Sequence, residues 1–568
     1  MKNLIVLIFL FVSITANAQY NFYYGNLHSH TEFSDGNKDS VVSLVNDPAE
    51  SFTYAKASYH IDFWGICEHN HFSSTNNPGM LLPRYAQGLA QADQVNQNGL
   101  FVALFGTEWG TISEGGHVIT YGSPGLIGWE ILSGSPNYNT FCAKGDFTSY
   151  WNIINAQPNT FSTLAHPQTG DYGNLLNGAP FSPAADISIV GSAIRSGGAF
   201  STTNNYTDPP ATLYEDKFMS ALAKGYHIGP AIDHDNHYTT FGRTNQGRTV
   251  VLARSLNRDS ITAAFRQRRF YASDDWNTQV NFTVNGNQMG TVNTTLLNSS
   301  IAVNVSDIDP TDAVSNIKIY YGIPGSGALP TVLGSNTNSG SFVFTHPTNN
   351  SDKYYYYAKI TQADGDIIWT APIWIQRQST VPPGTVTLLT SFTAYPDNNN
   401  ILIDWTAANI AGLQSIDLEY SVNNTSFSTL AVLPPQNSSG IGISNYHFTH
   451  LSPVPQLYYY RLKFIKTDNS FTYSDTISAR LYRPVSPITV FPNPAADKIN
   501  FLYSSAKTSK AVLNIYNADG RLARSQDIML MQNPTTYSID VSTLAAGIYF
   551  LTVQQPDLRV IDTKFIKN

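Results

Sequence analysis

Strands alternating with helices over roughly the first 275 residues, then strand after strand to the C-terminus, predict a multidomain chain. The fold class expected is an N-terminal α/β domain followed by β-sandwich modules. Three observations predict it. The 568 residues make about three to five domains at roughly 100–200 residues each. Ten of the 13 histidines fall between His28 and His237, so the chemistry is concentrated in the first part. Charged residues make up only 13%, about half the usual share, and Asn, Ser, Thr and Tyr replace them, a texture of extracellular β-rich proteins.

In chain order, residues 1–18 read as a signal peptide. Lys2 supplies the positive start, residues 4–12 are unbroken apolar, and Ala16-Asn17-Ala18 is a small-x-small cleavage site that leaves Gln19 first. The apolar run is too short to span a bilayer, and no later segment is long enough, so the mature chain is expected to have no transmembrane segment. Cys67 and Cys142 are the only cysteines, too few for a disulfide framework. Cys67 reads as a buried small residue within an apolar run.

Residues 19–275 form the expected α/β domain, with residues 101–105 strand-like and 260–268 helix-like. Beyond Trp276, residues 280–284, 301–305, 317–321 and 354–360 read as strands of a β-module spanning 276–376. Residues 377–384 read as a linker. A second module, 385–483, carries strands at 401–405, 416–422 and 458–462. With Trp405 on an early strand and Tyr residues on a late one, it resembles a fibronectin type III-like sandwich. Residues 486–568 form a last β-unit in which Asp519-Gly520 is a hairpin signal. Pro492-Asn493-Pro494, Asn517-x-x-Gly520, Leu544-x-x-Gly547-x-Tyr549 and basic last residues resemble the C-terminal sorting domain of type IX secretion substrates. That resemblance implies the type IX machinery as partner, and passage through the periplasm to secretion or the outer cell surface.

The chemistry starts at His28-Ser29-His30. Residues i and i+2 of an extended segment point to one face, so both imidazoles project together, as two ligands of one metal must. Ser34-Asp35 returns a carboxylate after a short loop. Residues 62–71 are a buried strand ending in Glu68-His69-Asn70-His71, and 101–108 another ending in Gly106-Thr107-Glu108. His117, then Leu164-Ala165-His166-Pro167, then Asp233-His234-Asp235-Asn236-His237 follow. Any one histidine is most simply a satisfied core residue, and His60 and His227 keep that reading. The whole set does not, because that many buried imidazoles and carboxylates would go unsatisfied without metal.

The order HxHxxxSD, EH, GxE, H, AHP, DxH resembles the polymerase and histidinol phosphatase (PHP) superfamily over residues 24–275. Gly106-x-Glu108, Gly116-His117, Arg269-x-Tyr271-Ala272-Ser273, Asn285-Gly286 and Met289-Gly290 resemble its CehA/McbA-type branch. The resemblance implies a distorted (β/α)7 barrel with a di- or trinuclear site for divalent Zn, Mn or Fe, which the mixed ligands do not discriminate. It assigns one metal to His28, His30, Glu108 and Asp235. Glu108 bridges to a second, held by His117 and His166; Asp35, His69 and His237 hold a third. Where the family usually has Asp before the second motif's histidine, Glu68 stands here. The last motif offers two registers; Asp235 and His237 fit Asp-x-His, leaving Asp233 and His234 as supporting or substrate-side candidates.

The expected function is a secreted metal-dependent hydrolase, foremost a phosphoesterase acting on a small-molecule ester through a metal-activated hydroxide. His71, His234 and Arg195 are candidates to protonate the leaving group or clamp phosphate, against a structural role for each. The branch also implies carbamate, aryl-ester or amide cleavage as an alternative. A non-catalytic adhesin or binding protein is the reading from another class. Net charge is -8 with no basic stripe, which argues against nucleic acid as a partner.

Overall fold

The computed structural model describes residues 20–568 except 71–78, 81, 113–114, 130, 133–134, 137, 158, 177, 208–211, 296, 310–311, 350, 379–387, 398–399, 409, 411, 436–442, 454–455, 482–489, 504–507, 518–520, 532–534 and 555–559. The expected signal peptide, His71, most of the expected linker and the Asp519-Gly520 turn lie outside the described residues. The chain is multidomain and mostly β-sheet. All described helices fall within residues 40–266.

The principal strands of the first unit are β1 (Asn21–Asn26), β2 (Phe63–His69), β3 (Val102–Thr111), β4 (Gly116–Tyr121), β5 (Phe161–Leu164), β6 (Ile189–Ser196), β7 (Gly229–Asp233), β8 (Arg248–Ala253) and β9 (Phe270–Ser273). Strands β1 to β7 pair in chain order. The β1/β2, β2/β3, β5/β6 and β6/β7 pairs are parallel, whereas β4 runs antiparallel to both β3 and β5. Just past their ends, β1 and β7 meet. His30 N donates to Asn236 O at 2.9 Å, and Asp235 N to His28 O at 3.0 Å. The seven-strand run therefore returns upon itself. All seven residues of β2 are buried, as a parallel strand covered on both faces requires. Gly25 permits the close β1/β2 approach: a Cβ there would lie 2.1 Å from Phe63 O.

Helices α1 (Ser40–Ser43), α2 (Pro48–Lys56), α3 (Leu82–Val95), α4 (Phe147–Asn155), α5 (Pro183–Ser188), α6 (Glu215–Lys224) and α7 (Arg258–Arg266) connect these strands. The helix expected at 260–268 starts and ends two residues earlier. Asn257 caps it by accepting from Ser260 N at 2.8 Å, and Arg268, with φ 59°, already lies in the left-handed region. Cys67 and Cys142 are both buried free thiols.

Beyond residue 276 the next unit contains β10 (Gln279–Val284), β11 (Ser299–Ser306), β12 (Val314–Gly322), β13 (Thr331–Thr337), β14 (Ser341–His346), β15 (Lys353–Gln362), β16 (Ile367–Thr370) and β17 (Ile373–Arg377). The edge of β9 is covered by β16, antiparallel, with Tyr271 opposite Thr370. One sheet thus runs from the first unit into the second, across the boundary expected at 275/276. The cores merge too: Trp109 and Trp151 belong to one apolar cluster with Tyr355, Trp369 and Trp374. Capping a sheet edge in this way removes an aggregation template.

The third unit has a three-stranded sheet (Leu388–Asp397, Asn400–Ala408, Ile443–His450) and a five-stranded one built on Leu413–Ser421 and Leu457–Lys466. Trp405, Leu418 and Tyr460 lie in its core. It abuts the first unit through Arg254, whose Nη2 is 2.9 Å from Asp404 Oδ1. The last unit packs a three- and a four-stranded sheet around Phe501, Leu513, Leu551 and Phe565.

Candidate metal centre

One end of the seven-strand run carries all nine of the expected metal ligands. In the parallel strands the ligands stand at or just past C-terminal ends: His28 and His30 after β1, His69 ending β2, Glu108 on β3, His166 after β5, Asp235 and His237 after β7. His117 instead lies at the start of β4. Because β4 runs the opposite way, its N-terminal end reaches the same rim. Strand direction and motif position therefore agree.

His28 and His30 follow the end of β1 rather than lying within it, yet their Nε2 atoms converge at 3.1 Å. Both side chains are wholly buried. His28 Nε2 lies 3.3 Å from Glu108 Oε1 and 3.2 Å from Asp235 Oδ1; His30 Nε2 lies 3.2 Å from Glu108 Oε2 and 3.1 Å from Asp235 Oδ1. A tetrahedral ion with bonds of about 2.0–2.1 Å separates its ligand atoms by about 3.3–3.4 Å, which these spacings match. His117 Nδ1 and His166 Nε2 approach Oε1, the oxygen that His28 also faces, at 2.8 and 3.0 Å. At the third corner, Asp35 lies 3.6 Å from His69 Nε2 and 3.3 Å from His237 Nε2.

Three sets of ligand atoms, each mutually within 4.8 Å, emerge: His28/His30/Glu108/Asp235, His69/Glu108/His117 and His30/Asp35/His69/His237. None of the three sets contains His166, which was expected beside Glu108 and His117 and meets Glu108 alone, and the grouping adds two contacts that the motif order did not assign. His69 also faces Glu108, with Nδ1 3.3 Å from Oε2, and His30 also faces the Asp35 corner. This mixed, buried donor set fits divalent Zn, Mn or Fe.

The electrostatics point the same way. Burial alone would push the His28 and His30 imidazoles down, but Asp233 and Glu108 hold His28 well above its ordinary range, and Asp235 and Glu108 lift His30 to about 10. His166 is lifted to about 9 against burial, chiefly by Glu108. Burial opposes the charge on Glu108, Asp35 and Asp235 as well, yet neighbouring imidazoles hold all three carboxyls low. The carboxylates demand positive charge at their centre, which protons on imidazole or cations can supply. His69 goes well down, because burial outweighs Glu108.

A layer of supporting groups fixes these ligands. Asp233 Oδ1 sits 2.6 Å from His28 Nδ1, and its Oδ2 accepts from His166 N at 3.0 Å. Glu68 is not part of the cluster. It is wholly buried and accepts from Thr31 N at 3.1 Å and from the Thr31 and Ser34 hydroxyls, so it shapes the loop carrying Asp35. Gly36 completes that loop, since a Cβ there would lie 2.2 Å from His30 O. Tyr172, wholly buried, donates to the carbonyls of His117 and Ala165. It sits in an aperiodic loop, where no sequence signal marks it.

Two expected catalytic candidates have other partners. Arg195 is committed to Asp274, with Nη2 to Oδ2 at 3.0 Å, and lies over Trp369. His234 Nε2 is 2.8 Å from Gly247 O, its ring packs against Trp64, and burial pushes its imidazole down to about 4. These partners favour, for each, the structural role that the sequence left open. His71 lies outside the described residues. His227 pairs with Asp186 at 2.8 Å, a satisfied histidine as expected, whereas His60 is exposed at the surface rather than in a core.

At the rim, Lys38 Nζ is 3.9 Å from Asp35 Oδ2. Phe200, 63% exposed, lies over the His237 ring with centroids 4.7 Å apart. A solvent-facing aromatic seated on a candidate ligand offers an apolar contact to whatever approaches the cluster.

Comparison with known proteins gives partial matches. A protein of Chlamydia muridarum (strain MoPn / Nigg) described as uncharacterized is 28% identical over 182 residues, 28% of this chain and 29% of that one. One of Chlamydia trachomatis serovar D, described likewise, is 25% identical over 179 residues, with the same coverage. The chain thus spans under a third of these relatives' length. Among solved structures, dimeric latent PorU from Porphyromonas gingivalis matches 51% of this chain and 34% of its own at 13% identity, with a TM-score of 0.16. The chicken CNTN1 FN1-FN3 domains match 49% of this chain and 98% of their own at 12% identity, with a TM-score of 0.14. No described helix is long and apolar enough to cross a membrane. Residues 489–568 match the secretion system C-terminal sorting domain. The chain therefore carries a type IX sorting domain, which marks it for export to the cell surface or secretion.

Proposed function

We propose that the first unit is a metal-dependent hydrolase of the PHP type, foremost a phosphoesterase, built on a distorted (β/α)7 barrel. The observation that carries this reading is Glu108. Five imidazoles, those of His28, His30, His69, His117 and His166, approach its two oxygens at 2.8–3.3 Å, as a carboxylate bridging metal ions requires. The self-returning run β1 to β7, with β4 reversed, supports the barrel.

His28, His30, Glu108 and Asp235 would hold one ion; Glu108, His117 and His166 a second; Asp35, His69 and His237 a third. When bound, such ions lower the pKa of a shared water toward about 7 and offset charge developing on substrate oxygens. Asp233 fixes the His28 ring through Nδ1, leaving Nε2 for the centre. Glu68 orients the loop that presents Asp35. Asp235, with 14% of its side chain exposed, is the most accessible donor and marks where substrate meets the cluster. Lys38 stands by to pair with an anionic group there. The phosphoester reading rests on that cation. Carbamate or aryl-ester cleavage is the second reading, favoured by exposed Phe200 on the same rim, a contact suited to an uncharged aromatic group.

Metal analysis by mass spectrometry, with turnover of aryl phosphate, aryl phosphodiester and aryl carbamate probes, tests this. Between one and three equivalents of Zn, Mn or Fe are expected, with turnover lost in His28→Ala. Less than one equivalent would sink the proposal. Full metal loading with no turnover of any probe would instead favour a binding protein.

A further inference from the structure

We propose that residues 41–44 form an apolar tip that inserts into an anionic lipid surface and sets the rim of the candidate metal centre against it. The docking does not depend on the hydrolase reading. Its consequence for the substrate, an ester carrying a long apolar chain, rests on that reading. Among the described residues, Val41 and Val42 are the two most exposed large apolar side chains, at 90% and 86%, and Leu44 stands at 74%. Side chains so free of neighbours project from the surface rather than line a groove. Three of them within one short segment mark a surface that meets something other than water.

The tip is held out, not loose. Val42 N and Ser43 N donate to Asp39 O at 2.8 and 2.9 Å, and Leu44 N donates to Ser40 O at 2.9 Å. Leu44 lies at φ 59°, a left-handed conformation that leucine adopts only at a cost. Asn37 is buried and left-handed too, at φ 46°, and its Nδ2 donates to Val45 O at 2.7 Å. Two residues in strained conformations thus bracket α1, and its valines reach solvent.

The same loop is tied to the ligands. Lys38 N donates to His237 O at 3.0 Å. Asp39 Oδ1 accepts from Thr239 N and Oγ1, both at 2.9 Å, and Thr239 Oγ1 lies 2.9 Å from Ser43 Oγ. Whatever α1 enters is therefore held within a few residues of Asp35, Asp235 and His237. Charge selects the occupant. Lys38 stands just before the tip, with Nζ 5.7 Å from the centroid of exposed Phe200. Exposed Arg84 reaches the same base, its Nη1 donating to Glu32 O at 2.5 Å. Of the acidic neighbours, Asp39 is engaged by Thr239, and Glu32 Oε1 accepts the Ser40 hydroxyl at 2.5 Å. An apolar tip above a basic and aromatic collar fits a lipid layer: its chains take the valines and its anionic headgroups take the cations. A pocket on a protein partner would cover the valines without calling for the collar. Lipid ester and phosphoester groups lie where chains meet headgroups, which is where the rim would sit.

Co-sedimentation of the mature full-length chain with vesicles of phosphatidylcholine containing about 30% phosphatidylglycerol tests the docking. The wild type is expected in the pellet, less so at high salt. Val41→Ser/Val42→Ser should melt as the wild type does and partition about tenfold or more weakly. Val41→Leu/Val42→Leu should retain binding, and Lys38→Gln should lose about fivefold. His28→Ala should bind vesicles as the wild type does. Val41→Ser/Val42→Ser should turn over a soluble aryl phosphate normally but lose about tenfold on a long-chain alkyl aryl phosphodiester held in the vesicles. Vesicle binding by the wild type with no turnover of any probe would sink the hydrolase reading and leave the docking supported. Wild-type protein absent from the pellet, or a serine variant that binds as tightly, would overturn the proposal. So would self-association of the wild type that vesicles do not displace and the serine variant loses, which would make a second copy the cover of the tip.

Discussion

Asp233 shows how much of the centre depends on a residue that need not touch a metal. Its carboxylate contacts the His28 ring through one oxygen and accepts the His166 amide through the other, so it positions two candidate ligands at once. Asp233→Asn is expected to weaken metal affinity about 10–100-fold while the protein stays folded, measured by competition against a chromogenic chelator. Unchanged affinity would reduce Asp233 to a packing role. The convergence of His28, His30, Glu108, His166 and Asp235 was legible because strand ends aim consecutive motifs at one rim. The roles of Arg195 and His234 were not, because a side chain's partner depends on elements far away in sequence. Arg195 is captured by Asp274, 79 positions on, and His234 by a carbonyl brought up by the turn before β8. The sharing of His30 and His69 between corners was also hidden, since spacing does not tell how many neighbours one ring faces.

Among the elements, the contact between the ends of β1 and β7 decides whether the ligand rim closes. Asn26 stands behind it, wholly buried; its Oδ1 accepts from His28 N at 2.6 Å and its Nδ2 donates to Ile232 O at 2.9 Å. Asn26→Ala leaves a buried amide without its partner, at a cost of about 2–3 kcal/mol. The melting transition of the first unit should fall by about 5–10 °C, and metal content should drop with it. A second effect belongs to the turn between β15 and β16. Burial, then Asp364, Asp274, Asp275 and Asp312, lift the Asp366 carboxyl to about 7. A carboxyl with a folded pKa above its unfolded one binds extra protons when folded, so stability falls as pH rises from about 4 to about 7. Asp366→Asn should therefore melt above the wild type at pH 8 and level with it at pH 4, by calorimetry. Equal melting at both values would show that Asp366 is relaxed by solvent. The strands were largely legible from period-2 patterning, but the return of the seven-strand run was not. It rests on backbone hydrogen bonds between residues 28–30 and 235–236, which no side-chain pattern encodes.

At the scale of the whole molecule, the units differ in how tightly they are joined. The first two share one sheet and one apolar core, which composition did not show: the change from mixed to all-β texture does not reveal which edges pair. The sorting domain has a core of its own, from Val490 to Phe565, in which Phe501, Leu513, Ile515 and Leu551 are wholly buried. None of the seven-strand run or its ligands draws on that core. Ending the chain at residue 488 should consequently leave metal loading and the melting of the first unit unchanged. It should also strand the protein in the periplasm, since the type IX signal lies within the removed residues. Cell fractionation with immunodetection, alongside metal analysis of the purified truncation, separates the two effects. Surface delivery of the truncated chain would mean that export is encoded elsewhere. Loss of metal from it would mean that the last unit braces the centre through contacts outside its own core.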